Sequence, residues 1–213
     1  ARLGRTGLLK EVTNPLGGSI SIDYEMTEAN VYHPRRWVMT EVKIADGLSG
    51  DGADSIISRY VYEYGYYNHE ERRFLGFAKV NNIALWENGN IVRRTERYYG
   101  NEDVHLSGQL LAEVVYDSMN RRYIQTTNMI VRDTLETSNN VLRVLPKLIS
   151  STTCYFEGQP QAQITKTQTF EYENTYGNLI RQTETSTNQS VVIANIVYHP
   201  QYNGNYCVNK INM

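Results

Sequence analysis

Cysteine, histidine, net charge and long apolar runs are all scarce in this 213-residue chain. Its two cysteines, Cys154 and Cys207, are too few for a disulfide framework. Neither has a partner at Cys-x-x-Cys spacing or a histidine cluster nearby, which argues against zinc. They read either as two buried or partly buried thiols or as one disulfide in an exported protein. The net charge of −2 offers no electrostatic handle for nucleic acid or an anionic membrane. No apolar stretch approaches the ~18 residues of a membrane-spanning helix, so membrane insertion is not expected. There is no initiator Met and no apolar leader before Ala1-Arg2-Leu3-Gly4. The expectation is an excised piece of something longer.

Catalytic and cofactor motifs are missing as well. No serine stands in a Gly-x-Ser-x-Gly elbow, and no Gly-x-Gly-x-x-Gly or Gly-Lys-Ser/Thr phosphate loop occurs. His69-Glu70-Glu71 has the start of a metallohydrolase motif, but Arg73 stands where the second histidine is required. His33, His69, His105 and His199 are scattered. Asp46, Asp51 and Asp54 offer oxygen ligands for calcium, yet their spacing does not match an EF-hand loop. Arg93-Arg94 and Arg121-Arg122 read as cross-strand partners for acids rather than phosphate binders. These gaps lead to a non-catalytic reading with no cofactor and no metal.

What the chain does have is tyrosine, 17 of them, and period-two alternation. Ile20, Ile22 and Tyr24 alternate with Ser21 and Asp23, and Val38, Val42 and Ile44 share a face within Trp37 to Ile44. Further strands are predicted at Ile56 to Tyr66, Arg72 to Asn82, Ile91 to Tyr99 and Leu110 to Tyr116. Others follow at Arg122 to Ile130, Leu142 to Phe156, Gln163 to Tyr172, Leu179 to Thr187 and Val191 to Tyr198. β-Branched and aromatic side chains suit such pleated surfaces. Turn residues separate the runs: Asn14-Pro15-Leu16-Gly17-Gly18, Asn88-Gly89-Asn90 and Tyr176-Gly177-Asn178. Asp46 to Ser55 reads as a polar loop. Helix signals are poor, and Gly108 before Leu110 to Val115 favours a strand there. Phe74 and Phe77 bracket Gly76 and should be core, with Gly76 permitting a bulge or a close strand approach. The fold class is all-β: an antiparallel meander of many strands, open or curved, in one domain over residues 1–213.

A loosely spaced repeat runs through this pattern. Gly7-Leu8-Leu9, Gly108-Gln109-Leu110-Leu111 and Gly177-Asn178-Leu179-Ile180 start strands. Each is followed by a Tyr with an acidic or turn neighbour: Tyr24-Glu25, Tyr116-Asp117 and Tyr198-His199. Tyr60, Tyr62, Tyr64 and Tyr66 alternate in Tyr60-Val61-Tyr62-Glu63-Tyr64-Gly65-Tyr66-Tyr67-Asn68. Glu71-Arg72-Arg73-Phe74-Leu75-Gly76-Phe77 follows. This block resembles the Tyr-x-Tyr … Glu-Arg-x-Phe-x-Gly-Phe block of the RHS/YD-repeat family. That family includes the B and C components of insecticidal toxin complexes, related bacterial secreted toxins and the animal teneurins. The likeness runs from about Gly7 to Tyr123, with fainter units beyond. It departs from the Tyr-Asp-x-x-Gly-Arg form, since Tyr116-Asp117 leads to Asn120-Arg121 and Tyr172 is followed by Glu173. The family's self-cleaving Asp/Pro/Gly-rich motif is not in this sequence.

The resemblance implies a non-catalytic segment of a β-sheet shell or scaffold in a secreted or cell-surface bacterial protein. Its motif residues here are Tyr60, Tyr62, Tyr64, Arg72, Phe74, Gly76, Phe77, Tyr116, Asp117, Tyr172, Gly177 and Asn178. The implied partners are neighbouring β-repeats of the same parent chain and an enclosed C-terminal domain. The rival reading is a carbohydrate- or protein-binding β module, with Trp37 or Trp86 in an exposed aromatic patch that stacks on a glycan.

Overall fold

The computed structural model describes residues 7–28, 35–48, 55–136, 142–174 and 176–197. Cys207, Asp51, Asp54, His33 and the Tyr198-His199 unit lie outside them. Twelve strands form one antiparallel sheet whose spatial order is the chain order. They are β1 Glu11–Thr13, β2 Ser19–Met26, β3 Trp37–Ala45, β4 Ser55–Asn68, β5 Arg73–Trp86 and β6 Ile91–Tyr99. β7 Leu110–Tyr116, β8 Arg122–Glu136, β9 Leu142–Tyr155, β10 Ile164–Tyr172, β11 Leu179–Ser186 and β12 Gln189–Asn195 complete it. At the usual strand spacing the sheet runs roughly 50 Å from β1 to β12. The all-β antiparallel meander expected from the alternation is the observed architecture, and among the described residues it is open at both edges.

Hydrogen-bonded turns set the register. Several hairpins begin with an Asn or Asp whose side chain accepts backbone N–H groups of its own turn. Asn14 Oδ1 accepts from Leu16 and Gly18 at 2.9 Å each. Asp46 accepts from Leu48, Asn68 from Glu71 and Asn88 from Asn90. Bulges then rotate the strands out of simple alternation. One lies between Asp23 and Tyr24, where Thr40 is the extra residue on β3. A second, between Tyr66 and Tyr67, leaves Leu75 as the extra residue opposite them. The strand β1 follows the Gly7-Leu8-Leu9 strand start but is given no bounds by the alternation; it is only three residues long and fully exposed.

The described residues pack as a sheet without a second layer. The chain exposes 14782 Å², whereas a compact protein of 24.5 kDa exposes roughly 10,000 Å². Among the described residues only Leu75, Leu85, Val114 and Phe156 are buried apolar side chains. They sit in β5, in β7 and just after β9, at the middle of the meander. Phe74 and Phe77 are half-buried rather than core: their rings pack on one another along the sheet surface, and Phe74 is covered by the Arg36 guanidinium rather than by a second apolar layer.

Leu85 is the most enclosed of the four, at 5% exposure, whereas Ile56 on the neighbouring strand is 46% exposed. Leu85→Ala is expected to cost about 2–5 kcal/mol and Ile56→Ala under about 1 kcal/mol. Urea unfolding of the two variants checks the ranking.

Candidate functional site

The Tyr60–Phe77 block folds into the hairpin of β4 and β5. Tyr60 and Tyr62 stack with ring centroids 6.4 Å apart. Tyr62 meets Phe77 at 5.0 Å, and Phe77 meets Phe74 edge-on at 5.2 Å. The Arg36 guanidinium lies 4.2 Å above the Phe74 ring. Burial, followed by the neighbouring Tyr60, pushes the Tyr62 phenol up from its ordinary range. Tyr64 breaks the row: its φ is +56° and it is 67% exposed. Arg72 falls in the turn before β5, also at positive φ, rather than at the strand start where the alternation placed it.

Gly76 explains the geometry of this tip. Its φ is +117°, and a Cβ there would come within 2.6 Å of Asn101 Nδ2. Asn101 is 5% exposed and belongs to the connection between β6 and β7. It donates to the Phe77 carbonyl at 2.7 Å and accepts from the Gly108 N–H at 2.7 Å. Ser107 Oγ donates to the Leu75 carbonyl at 2.8 Å, and Tyr66 Oη donates to Glu102 at 2.9 Å. Arg132 in β8 holds Asp103 at 2.9 Å. Residues 100–109 therefore act as a clamp over the bulge in β5. The sequence marks only one side of it, the glycine inside a strand. Asn101, Ser107 and Glu102 carry no recognisable motif.

The acidic turns use the same chemistry with different side chains. Asp117 accepts from the N–H groups of Met119 and Arg121 and from the Arg121 guanidinium, all at 2.9 Å. The Arg121 backbone N–H, the largest influence, holds the Asp117 carboxyl below its ordinary value, with the guanidinium contributing. Glu173 performs this task after Tyr172. It accepts from Tyr176 at 2.7 Å and Asn178 at 3.2 Å, in a turn where Gly177 has φ +77°. Tyr116 packs under the Arg94 guanidinium at 4.1 Å. Tyr172 donates to the Leu148 carbonyl at 3.0 Å, and burial raises its phenol pKa. Lys147, 6% exposed, is paired with Asp133 and lies 5.3 Å from the Tyr172 ring. Its hydrogen bond to Asp133 is the leading cause holding that carboxyl below the usual range.

The other candidates stay apart. Among the described residues no group of three or more His, Cys, Asp or Glu is placed to hold a metal ion, and no helix is long and apolar enough to cross a membrane. Asp46 caps its own turn. Arg93 and Arg94 lie in β6, where Arg94 pairs with Glu96 at 3.2 Å. Arg121 pairs with Asp117, while Arg122 lies 4.7 Å over the Phe156 ring. Trp37 stands at one end of β3, whereas Trp86 is reached from the other end through Ile44 and Ile56. The two indoles are therefore roughly 20 Å apart along the strand direction and form no common patch. Cys154 is a free, half-buried thiol whose Sγ lies 3.8 Å from Thr165 Oγ1.

Residues 1–95 match the family model described as the insecticide toxin TcdB middle/N-terminal region. No curated protein matches the chain. Among solved structures, the crystal structure of TcdB2-TccC3-TEV is 15% identical with a TM-score of 0.71. The TcdB2-TccC3 structure without its hypervariable C-terminal region gives 14% and 0.70. The Photorhabdus luminescens Tc holotoxin pore with a mutated TccC3 gives 14% and 0.71. Each likeness covers 86% of this chain but only 12% of the other, so the chain spans about an eighth of those proteins.

Two outcomes test the clamp and the turns. Asn101→Ala strands the Phe77 carbonyl and the Gly108 N–H, and should cost about 1–3 kcal/mol in urea unfolding. The lowered Asp117 pKa contributes stability that is complete above the ordinary aspartate value of 3.8. That contribution disappears as pH falls through the lower folded value. Asp117→Asn should therefore flatten the acid limb of the melting-temperature profile while leaving the neutral region less stable.

Proposed function

We propose that this chain, a partial segment of the toxin-complex/RHS-like kind, is a non-catalytic stretch of wall in a longer, secreted bacterial shell protein. The observation that carries this reading is that the described residues form a sheet with no second layer and two open edges. An enzyme needs a pocket where acid, base or nucleophile converge, and many of the described ionisable groups are instead spent in pairs across the strands. Glu41 holds Arg59 at 2.8 Å, Lys79 holds Glu63 at 3.3 Å and Lys166 holds Glu184 at 2.7 Å. Arg97 likewise pairs with Glu113. Such pairs fix register on a wet face and perform no reaction.

The edge strand β12 supports continuation into further repeats. All seven of its residues are exposed, including Val191, Val192 and Ile193. Adjacent residues in a strand point to opposite faces, so this edge is apolar on both sides and a ready template for another strand. We assign it to the next β-repeat of the parent chain. The motif residues then have structural roles: Tyr60, Tyr62, Phe74 and Phe77 pave the hairpin, Gly76 admits the clamp, and Asp117 and the Tyr172–Asn178 unit close turns. The similar structures join TcdB2 to TccC3, one lacking a hypervariable C-terminal region. By analogy with that pairing, the shell would enclose a C-terminal domain. The glycan-binding alternative has less support: Trp86, at the end of β5, is flanked across the strands by the aliphatic Ile56 and Ile44, and Trp37 lies about 20 Å away at the far end of β3.

Lengthening the chain by the parent's next strands should raise the melting temperature by several degrees and suppress aggregation. An unchanged melting temperature, with β12 still unpaired, would overturn the wall reading.

A further inference from the structure

One face of the sheet carries an apolar row that the wall reading does not use. Val12 lies opposite Ile20, Ile20 opposite Ile44, Ile44 opposite Ile56, and Ile56 opposite Trp86. Directly paired residues share a face, so these five side chains form one line across β1 to β5. All five are exposed, from 40% at Trp86 to 52% at Ile44. Together they present on the order of 400 Å² of apolar surface, the size at which a patch marks a contact surface. Leu16 and Leu48, more exposed still, lie in the connections that close the same end of the sheet. Ile22 and Val42 sit opposite one another in the next line inward.

The row has limits. Its continuation turns polar at β6, where Arg93 lies opposite Ala84, and the same face then carries the Arg97–Glu113 and Lys166–Glu184 pairs. The opposite face of β3 and β4 is charged, with Lys43 bound to Glu87 and Arg59 to Glu41. A general lining would not change character at one strand; a discrete cover would. The row also runs across the strands, so strand addition at an edge cannot bury it. An element lying along it must span about 19 Å, some 13 residues of helix. The whole row falls inside residues 1–95, the part matching the TcdB middle/N-terminal region, and seven-eighths of each similar protein lies outside the matched segment.

We propose that the Val12–Ile20–Ile44–Ile56–Trp86 row is the docking site for an amphipathic segment of the same parent chain, from outside these 213 residues, laid across the strands as a local second layer. This inference rests on the reading of the chain as part of a longer wall. Burial of such a row is what a single-layer sheet lacks, and an uncharged stripe accepts an apolar face without stranding a charge.

Iodide quenching of Trp86 tests it, with Trp37→Phe leaving one indole to report. In the isolated 213-residue chain Trp86 should be quenched like exposed tryptophan at all protein concentrations. In the full parent chain its emission should move to the blue and quenching should fall several-fold. Ile44→Glu should reverse both changes in the parent and leave the isolated chain's melting temperature within about a degree. Equal quenching in parent and isolated chain overturns the inference while leaving the wall reading intact. Protection that disappears when the parent's C-terminal domain is deleted assigns the row to cargo, and concentration-dependent protection assigns it to a second copy; either overturns it. A parent reading frame with no further β-repeats sinks the wall reading itself.

Discussion

The backbone ladder between neighbouring strands holds this molecule together. A globular domain hides its apolar side chains between two layers, and the hydrophobic effect then carries most of its stability. Here a single layer leaves four buried apolar side chains among the described residues. Main-chain hydrogen bonds and cross-strand pairs must take a larger share. Each strand is consequently only as secure as the strands on either side of it, and a meander of this kind gains from every repeat added to its edges.

That constraint accounts for several local features at once. Long strands such as β4, β5, β8 and β9 reach 14 or 15 residues, which multiplies ladder bonds where packing is thin. Most charged residues that meet across strands are of opposite sign, and where two acids do face each other, Asp23 opposite Glu41, Arg59 binds Glu41 from the next strand. The residues 100–109 connection folds back over β5, fastening the middle of the sheet through Asn101 and Ser107 rather than looping into solvent. Bulges beside Tyr24, Tyr67 and Ile130 add twist, which a long flat sheet would otherwise lack.

Much of the fold was legible in the sequence. Alternation located every strand except β1, and placed β6 and β7 to the residue, because a two-residue period with turn signals at both ends has few other readings. Asn14, Asn88 and Asp117 announced their turns because their side chains bond to backbone only a few residues away. Non-local features were hidden. Asn101 acts on Phe77, 24 residues earlier, and Lys147 finds Asp133 across β8 and β9. Nothing in the local pattern marks either partner. The expectation that Phe74 and Phe77 are core failed for a related reason: aromatic residues beside a strand glycine indicate packing, but not whether another layer lies above. The apolar row was likewise invisible until register aligned five strands.

Hydrogen exchange of backbone amides along the isolated chain tests the account most directly. A coreless wall predicts protection that is greatest in β5 to β8, around Leu85, Asn101 and Val114, and that declines strand by strand towards β1 and β12. Uniform protection from edge to edge, lost in one cooperative step, would show a compact core where this account places none.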